Sequence, residues 1–209
     1  MNSPKVRSDE ILAVIGTGLF HLLSCYWKIR GIFIVGAIIG WGLFITYSYR
    51  KNPQVLHDWG FRRDNFKASF QTTTLICLPL VFLMGLFALL KGNLLFPLSM
   101  IFLLVLYPLW GVTQQFLIQA LIIKNLSRSS LFAKKILLIL IGASLFSLVH
   151  IPEWRLMIGT FGLGIIFVPL YLKYGNLWPL GFYHGFLGSL FYLWVLDQDP
   201  CKQILIQIR

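Results

Sequence analysis

Three glutamines set close together, Gln114, Gln115 and Gln119, and two histidines further along, His150 and His184, carry the most distinctive chemistry of this chain, because they fall inside or at the ends of long apolar runs. A glutamine amide moved from water into hydrocarbon without partners costs about 4–8 kcal/mol, so these amides must be paired or serve a purpose. On a helix Gln115 and Gln119, four apart, share a face, whereas Gln114 points about 100° away. Amides offer donors and acceptors but no titrating group, while a neutral imidazole can take up or give up a proton near neutral pH. Pairing between helices, worth about 0.6–2 kcal/mol per hydrogen bond, is the ordinary use of such glutamines and stands beside any functional reading.

The runs that must position these residues extend over Ile11–Trp27, Gly31–Tyr49, Phe70–Leu90, Leu94–Ile123, Ile136–Ile151, Leu156–Leu172 and Leu177–Leu196. Each approaches the roughly 20 residues that cross a bilayer. The sequence therefore predicts an all-α, multi-pass transmembrane helical bundle of about seven spans, between six and eight, in a single integral membrane domain over residues 1–209. Composition agrees: of 209 residues 57% are hydrophobic and only 12% charged, against roughly 25% charged in soluble domains. Pro79 and Pro108 mark places where spans lose a backbone hydrogen bond. The tail "CKQILIQIR" is too short to cross.

The formal net charge of +11 is spread over short connecting segments rather than gathered on one face, which excludes a nucleic-acid footprint and matches the positive-inside pattern. With the N-terminus inside, twelve of the eighteen Lys and Arg residues fall on the cytoplasmic side: Lys5, Arg7, Arg50, Lys51, Arg62, Arg63, Lys67, Lys124, Arg128, Lys134, Lys135 and Lys173. The expectation is a cytoplasmic (plasma) membrane protein with a cytoplasmic N-terminus and, for an odd span count, an external C-terminus. "MNSPKVRSDE" leads into a retained first span rather than a cleaved signal. Cys25, Cys77 and Cys201 have no metal or disulfide spacing. "RKNPQVLHDWGFRRDNFKASF" mixes aromatic and basic residues and reads as a segment on the cytoplasmic headgroup layer or as a solvated basic loop.

Polar groups inside spans are functional candidates because hydrocarbon penalises them. Apart from hydroxyls they are His21, the three glutamines, His150 and His184, while all seven acids fall in tails, loops or at span boundaries. His150 lies in "SLFSLVHIPEW", with Phe146 one turn earlier on its face. His184 lies in "NLWPLGFYHGFLGSLF", where Gly181, Gly185, Gly188 and Ser189 form a small-residue strip suited to close helix contact. At about 1.5 Å per residue, Gln114 and His184 reach similar depths, whereas His150 lies over 20 Å from Lys135 and is shallower on the far side unless its helix tilts or begins late.

In order and spacing these stretches resemble the CPBP family, the CAAX prenyl protease and bacteriocin-processing (Abi) intramembrane proteases. That family carries E-E-x-x-x-R, then F-x-x-x-H, then H-x-x-x-N or D on separate transmembrane helices. The similar stretches here are "QQFLIQ" from Gln114 to Gln119, "FSLVH" from Phe146 to His150 and "HGFLG" from His184 to Gly188, within a family-like core at about 107–196. The resemblance implies an intramembrane endopeptidase, a hydrolase. In such a site the positions of Gln114 and Gln115 activate water with help from His150, His184 and the position of Gly188 stabilise the oxyanion, and Gln119, Phe146 and Gly188 border the substrate. The partner it implies is a membrane-embedded or lipid-linked peptide or protein in the lipid bilayer; two histidines with amides make a poor zinc set, so no metal or cofactor is expected, and the spread of charge speaks against nucleic acid.

The departures bear on activity. Glutamine copies glutamate's reach but cannot take a proton from water at neutral pH, which alone removes a factor of about 10²–10⁴ in rate. A missing oxyanion donor at Gly188 removes about 10²–10³ more. Exchanging the arginine together with the glutamates is coherent, because a buried cation stripped of its anions is strongly unfavourable. Two readings follow: a peptidase in which a histidine has become the base, or a non-catalytic pseudoenzyme that binds, chaperones, confers immunity or serves as a partner subunit. A transporter would show intramembrane charge or broken helices in paired repeats, and neither is visible.

Overall fold

The computed structural model describes residues 6–200; Lys5 of the charge count, Cys201 and the tail over 201–209 lie outside the described residues. Among the described residues nine α-helices follow in order: α1 (Ser8–Tyr26), α2 (Arg30–Lys51), α3 (Gln54–Trp59), α4 (Phe66–Lys91), α5 (Ser99–Gln115), α6 (Lys124–Leu126), α7 (Lys135–Leu148), α8 (Trp154–Tyr174) and α9 (Leu177–Leu190). A π-helical stretch, Phe116–Ile123, joins α5 to α6 in one rod, Ser99–Leu126, of 28 residues, and a second, Phe191–Val195, prolongs α9. Among the described residues there is no strand. The fold is an all-α membrane bundle.

Helices are what hydrocarbon permits, since each backbone N–H and C=O must be satisfied within its own segment. Every predicted apolar run has its helix. Five of them, α1, α2, α4, the Ser99–Leu126 rod and α8, are long and apolar enough to cross a membrane. Two runs stand outside these five: α7 stops after 14 residues and the chain turns through Val149–Pro152 before α8, and the 14-residue α9 reaches the length of its run only through the π-helical Phe191–Val195. Pro79, Pro108 and Pro169 lie inside α4, α5 and α8, which continue through them.

Outward faces are apolar. No residue of α2 is buried, and side chains such as Ile32 and Leu43 project outward as lipid-facing residues do. The interior is built on shape and on aromatic contacts, because lipid chains are as apolar as leucine and give little hydrophobic drive between helices. Phe116, fully buried, is met by Trp59 at 5.1 Å, Phe61 at 5.6 Å and Trp41 at 6.1 Å between ring centroids.

The pairing that positions the site is α5 against α9. A Cβ placed on Gly185 would fall on the Pro108 backbone and within 2.7 Å of the Tyr107 carbonyl carbon, and one on Gly111 would meet the Gly181 carbonyl oxygen. Two backbones at such range tolerate only glycine. Similarly, α8 presses Gly164 to α7, where a Cβ would lie 2.6 Å from Ala143 Cα.

The aromatic-basic segment before α4 is neither a free loop nor wholly a headgroup-layer element. Trp59 is buried, and the turn after α3 is pinned to the α8–α9 connection. Leu177 N–H donates to the Gly60 carbonyl at 2.8 Å, the Asn176 amide donates to the Arg62 carbonyl at 3.0 Å and to Asn65 Oδ1 at 2.8 Å, and Tyr171 Oη donates to the Trp59 carbonyl at 2.9 Å. Trp59 and Phe61 turn inward against Phe116, whereas Phe66 is exposed and stacks on Phe70. On the outer side the Arg62 guanidinium grips Asp64 and holds its carboxyl down at about 2, so any stability from this exposed pair is present above the ordinary carboxylate range and is lost as pH falls through that value.

Gly185→Ala must push α5 and α9 apart and is expected to cost about 1–3 kcal/mol, read as a lowered midpoint in detergent denaturation. Gly36→Ala, which meets nothing within 4 Å inside α2, does not lower the midpoint.

Candidate functional site

Close approach of α5 and α9 brings the first and third motifs into contact. Gln115 Nε2 lies 3.2 Å from His184 Nδ1, and Gln119 Nε2 donates to Gln115 Oε1 at 3.1 Å. All three side chains are buried. Gln115 thus spends both ends of its amide, and the i, i+4 pair shares a face although the helix widens into its π-helical form at Phe116. Gln114, also buried, takes no part in this chain and makes no side-chain hydrogen bond among the described residues.

The second motif arrives through the turn after α7. His150 lies two residues past the helix end, held by its N–H to the Ser147 carbonyl at 2.9 Å, while Ser147 Oγ donates to the Met157 carbonyl at 2.9 Å across the turn. Its Nδ1 is 2.7 Å from the Phe146 carbonyl oxygen. Phe146 itself is an edge-on spacer between the two imidazoles, its ring centroid 5.7 Å from His150 and 4.7 Å from His184. The shallow position suggested for His150 by counting from Lys135 does not separate it from His184, because the short α7 sets the turn low enough for both rings to reach one cavity.

These contacts fix the proton positions. A carbonyl can only accept, so the neutral His150 ring carries its proton on Nδ1 and leaves Nε2 as an acceptor. An amide NH₂ can only donate, so His184 Nδ1 accepts and its proton sits on Nε2. One ring is poised as a base and the other as a donor.

Both rings line a cavity of about 320 Å³ between α4, α5, α8 and α9. Its wall is mostly apolar, with Leu80, Met84, Leu163 and Leu187, and contains no carboxylate. Leu83 and Ile158 line it and are also turned outward, so it opens sideways toward lipid between α4 and α8. Gln114, Gln115, Gln119 and Phe146 stand behind the wall rather than in it. Gly188 is in the wall, and the space a side chain would take there is filled by Tyr107, whose Cε1 would lie 3.0 Å from an added Cβ.

Sequence reasoning did not single out Tyr107 and Tyr192, which line the cavity with ring centroids 6.2 Å apart. No local pattern marks them, since their place depends on which glycines the third motif presents. Glu10 sits at a span boundary as read from sequence, yet it is buried, receiving the Asn125 amide at 2.7 Å and Arg7 at 2.7 Å. Among the described residues no group of three or more His, Cys, Asp or Glu gathers where it could hold one metal ion.

Residues 96–190 match the family model described as Rce1-like, type II CAAX prenyl endopeptidase. No curated protein and no solved structure matches the chain.

Gln115→Leu leaves a buried imidazole nitrogen and a buried amide without partners, and a loss of about 1–3 kcal/mol is expected. Gln114→Leu, which breaks no hydrogen bond, shifts the same denaturation midpoint far less.

Proposed function

We propose that this chain, a member of the CAAX prenyl endopeptidase (CPBP) family through residues 96–190, binds a membrane-embedded or lipid-linked peptide segment in the lateral cavity without turning it over. The observation that carries this reading is the neutral Gln119–Gln115–His184 chain behind a wall with no carboxylate. A family peptidase needs a base to take a proton from water, and the amide in that place is already committed at both ends. The inherited shape remains: a cavity of about 320 Å³ suits a few apolar side chains or part of an acyl chain, at the small end of ligand pockets. A lateral mouth admits such a segment from the bilayer without first passing through water.

In this reading His150, His184 and Gly188 line the bound segment, Gln115, Gln119 and Phe146 hold the rings in place while Gln114 is buried behind them, and residues 1–209 act as one domain in the plasma membrane with a cytoplasmic N-terminus. The role is that of a pseudoenzyme: a partner subunit, chaperone or immunity factor.

One observation favours a second reading. The acceptor Nε2 of His150 and the donor Nε2 of His184 are the complementary pair that water attack on a carbonyl requires, so slow hydrolysis with His150 as base and His184 at the oxyanion is the alternative.

Full-length protein in detergent, offered prenylated and unprenylated membrane peptides carrying a photo-crosslinker, is expected to capture peptide and release no fragment. Leu83→Trp, which narrows the mouth, reduces capture several-fold. Cleavage that His150→Ala or His184→Ala abolishes would replace binding by the second reading.

A further inference from the structure

His150 and Tyr192 also form part of the wall of a second, more polar cleft of about 190 Å³, lined besides by His21, Cys25, Arg30 and Glu153. It lies where the tip of the α1–α2 hairpin meets the turn before α8. Arg30 begins α2, and its Nη2 donates to Tyr192 Oη at 3.0 Å, while its Nε is buried with no partner among the described residues. None of the ion pairs among the described residues involves Arg30. The acid in the lining, Glu153, is engaged by Arg155 at 2.9 Å. His21 is 5% exposed, flanked by Phe33 at 5.4 Å and Trp110 at 6.2 Å, and its Nδ1 is buried without a partner.

A permanent cation with an unspent donor, beside a buried imidazole with an unspent nitrogen, is an unfavourable arrangement unless an anion completes it. Guanidinium groups match phosphate oxygens through paired donors. The surroundings say where that phosphate resides. Tyr26 (82% exposed), Trp27 (54%) and Trp154 (63%) ring the same end of the bundle with the exposed Lys28, the aromatic and basic belt of a headgroup layer.

We propose that this cleft binds a phosphate group, that of an anionic lipid headgroup or of free phosphate, through Arg30 with His21 Nδ1–H as second donor. The site is separate from the peptide cavity and does not rest on the binding reading given above. His21 is thereby given a use that the three motifs leave unassigned.

Purified full-length protein in dodecyl maltoside is titrated by native mass spectrometry with short-chain phosphatidylglycerol, with the diacylglycerol of the same chains, and with inorganic phosphate. Phosphatidylglycerol should bind, the uncharged diacylglycerol far more weakly. Arg30→Gln should weaken phosphatidylglycerol roughly tenfold or more, as losing a hydrogen bond to a charged group does. His21→Phe weakens it less, and Arg63→Gln, an exposed cation away from the cleft, leaves it unchanged. Should Arg30→Gln not yield monodisperse protein, Arg30→Lys, which keeps the charge without the fork, is read instead and binds at a reduced level. Binding of inorganic phosphate that displaces phosphatidylglycerol supports one shared site, and binding of inorganic phosphate alone assigns it to the free ion. Diacylglycerol binding equal to phosphatidylglycerol, Arg30 variants that bind like the unaltered protein, or retention of neither phosphate ligand would overturn the proposal.

Discussion

Backbone contact between α5 and α9 is the constraint on which the rest depends. It exists because glycines face proline and glycine across the pair, with Gly185 at Pro108 and Gly111 at Gly181, where no side chain keeps the helices apart. Proline has no N–H, so the helix backbone at Pro108 has one fewer donor to satisfy in apolar surroundings. Only at this range can the Gln115 amide reach the His184 ring. Pull the rods apart by one methyl group and the amide–imidazole chain breaks, leaving polar atoms stranded where water is scarce.

Around that contact the site is a chain of neutral hydrogen-bonded groups. Gln115 is bonded to His184 on one side and Gln119 on the other, and both are buried. A structure with amides here needs no counter-ion, consistent with a cavity lining that contains no Asp, Glu, Lys or Arg. The position next to it shows the same economy in shape: Tyr107 fills the room that Gly188 leaves. Polar contacts are satisfied here without a carboxylate, which is the basis of the proposed binding role.

Much of this was legible in the sequence, for definable reasons. Apolar runs of about 20 residues fix helices because hydrocarbon leaves the backbone no alternative, and the i, i+4 relation of Gln115 and Gln119 survived the change to π-helical winding. The outlying position of Gln114 was also readable from helical periodicity. Less accessible were features set by neighbours far along the chain. The inward turn of Trp59 depends on Phe116, the role of Tyr107 depends on Gly188, and the convergence of His150 with His184 depends on where α7 stops. Composition could place the segment before α4 near a membrane surface, but not dock it through Asn176 and Tyr171.

The brevity of α7 reaches beyond the protein. Its 14 residues span about 21 Å, some 9 Å short of a typical hydrocarbon core. Lipid beside it must compress, or headgroups and water must dip toward Val149–Pro152, since a polar turn is poorly tolerated against acyl chains. Either response ties the wetness of the flank where the His150 imidazole lies to the thickness and stiffness of the surrounding leaflet.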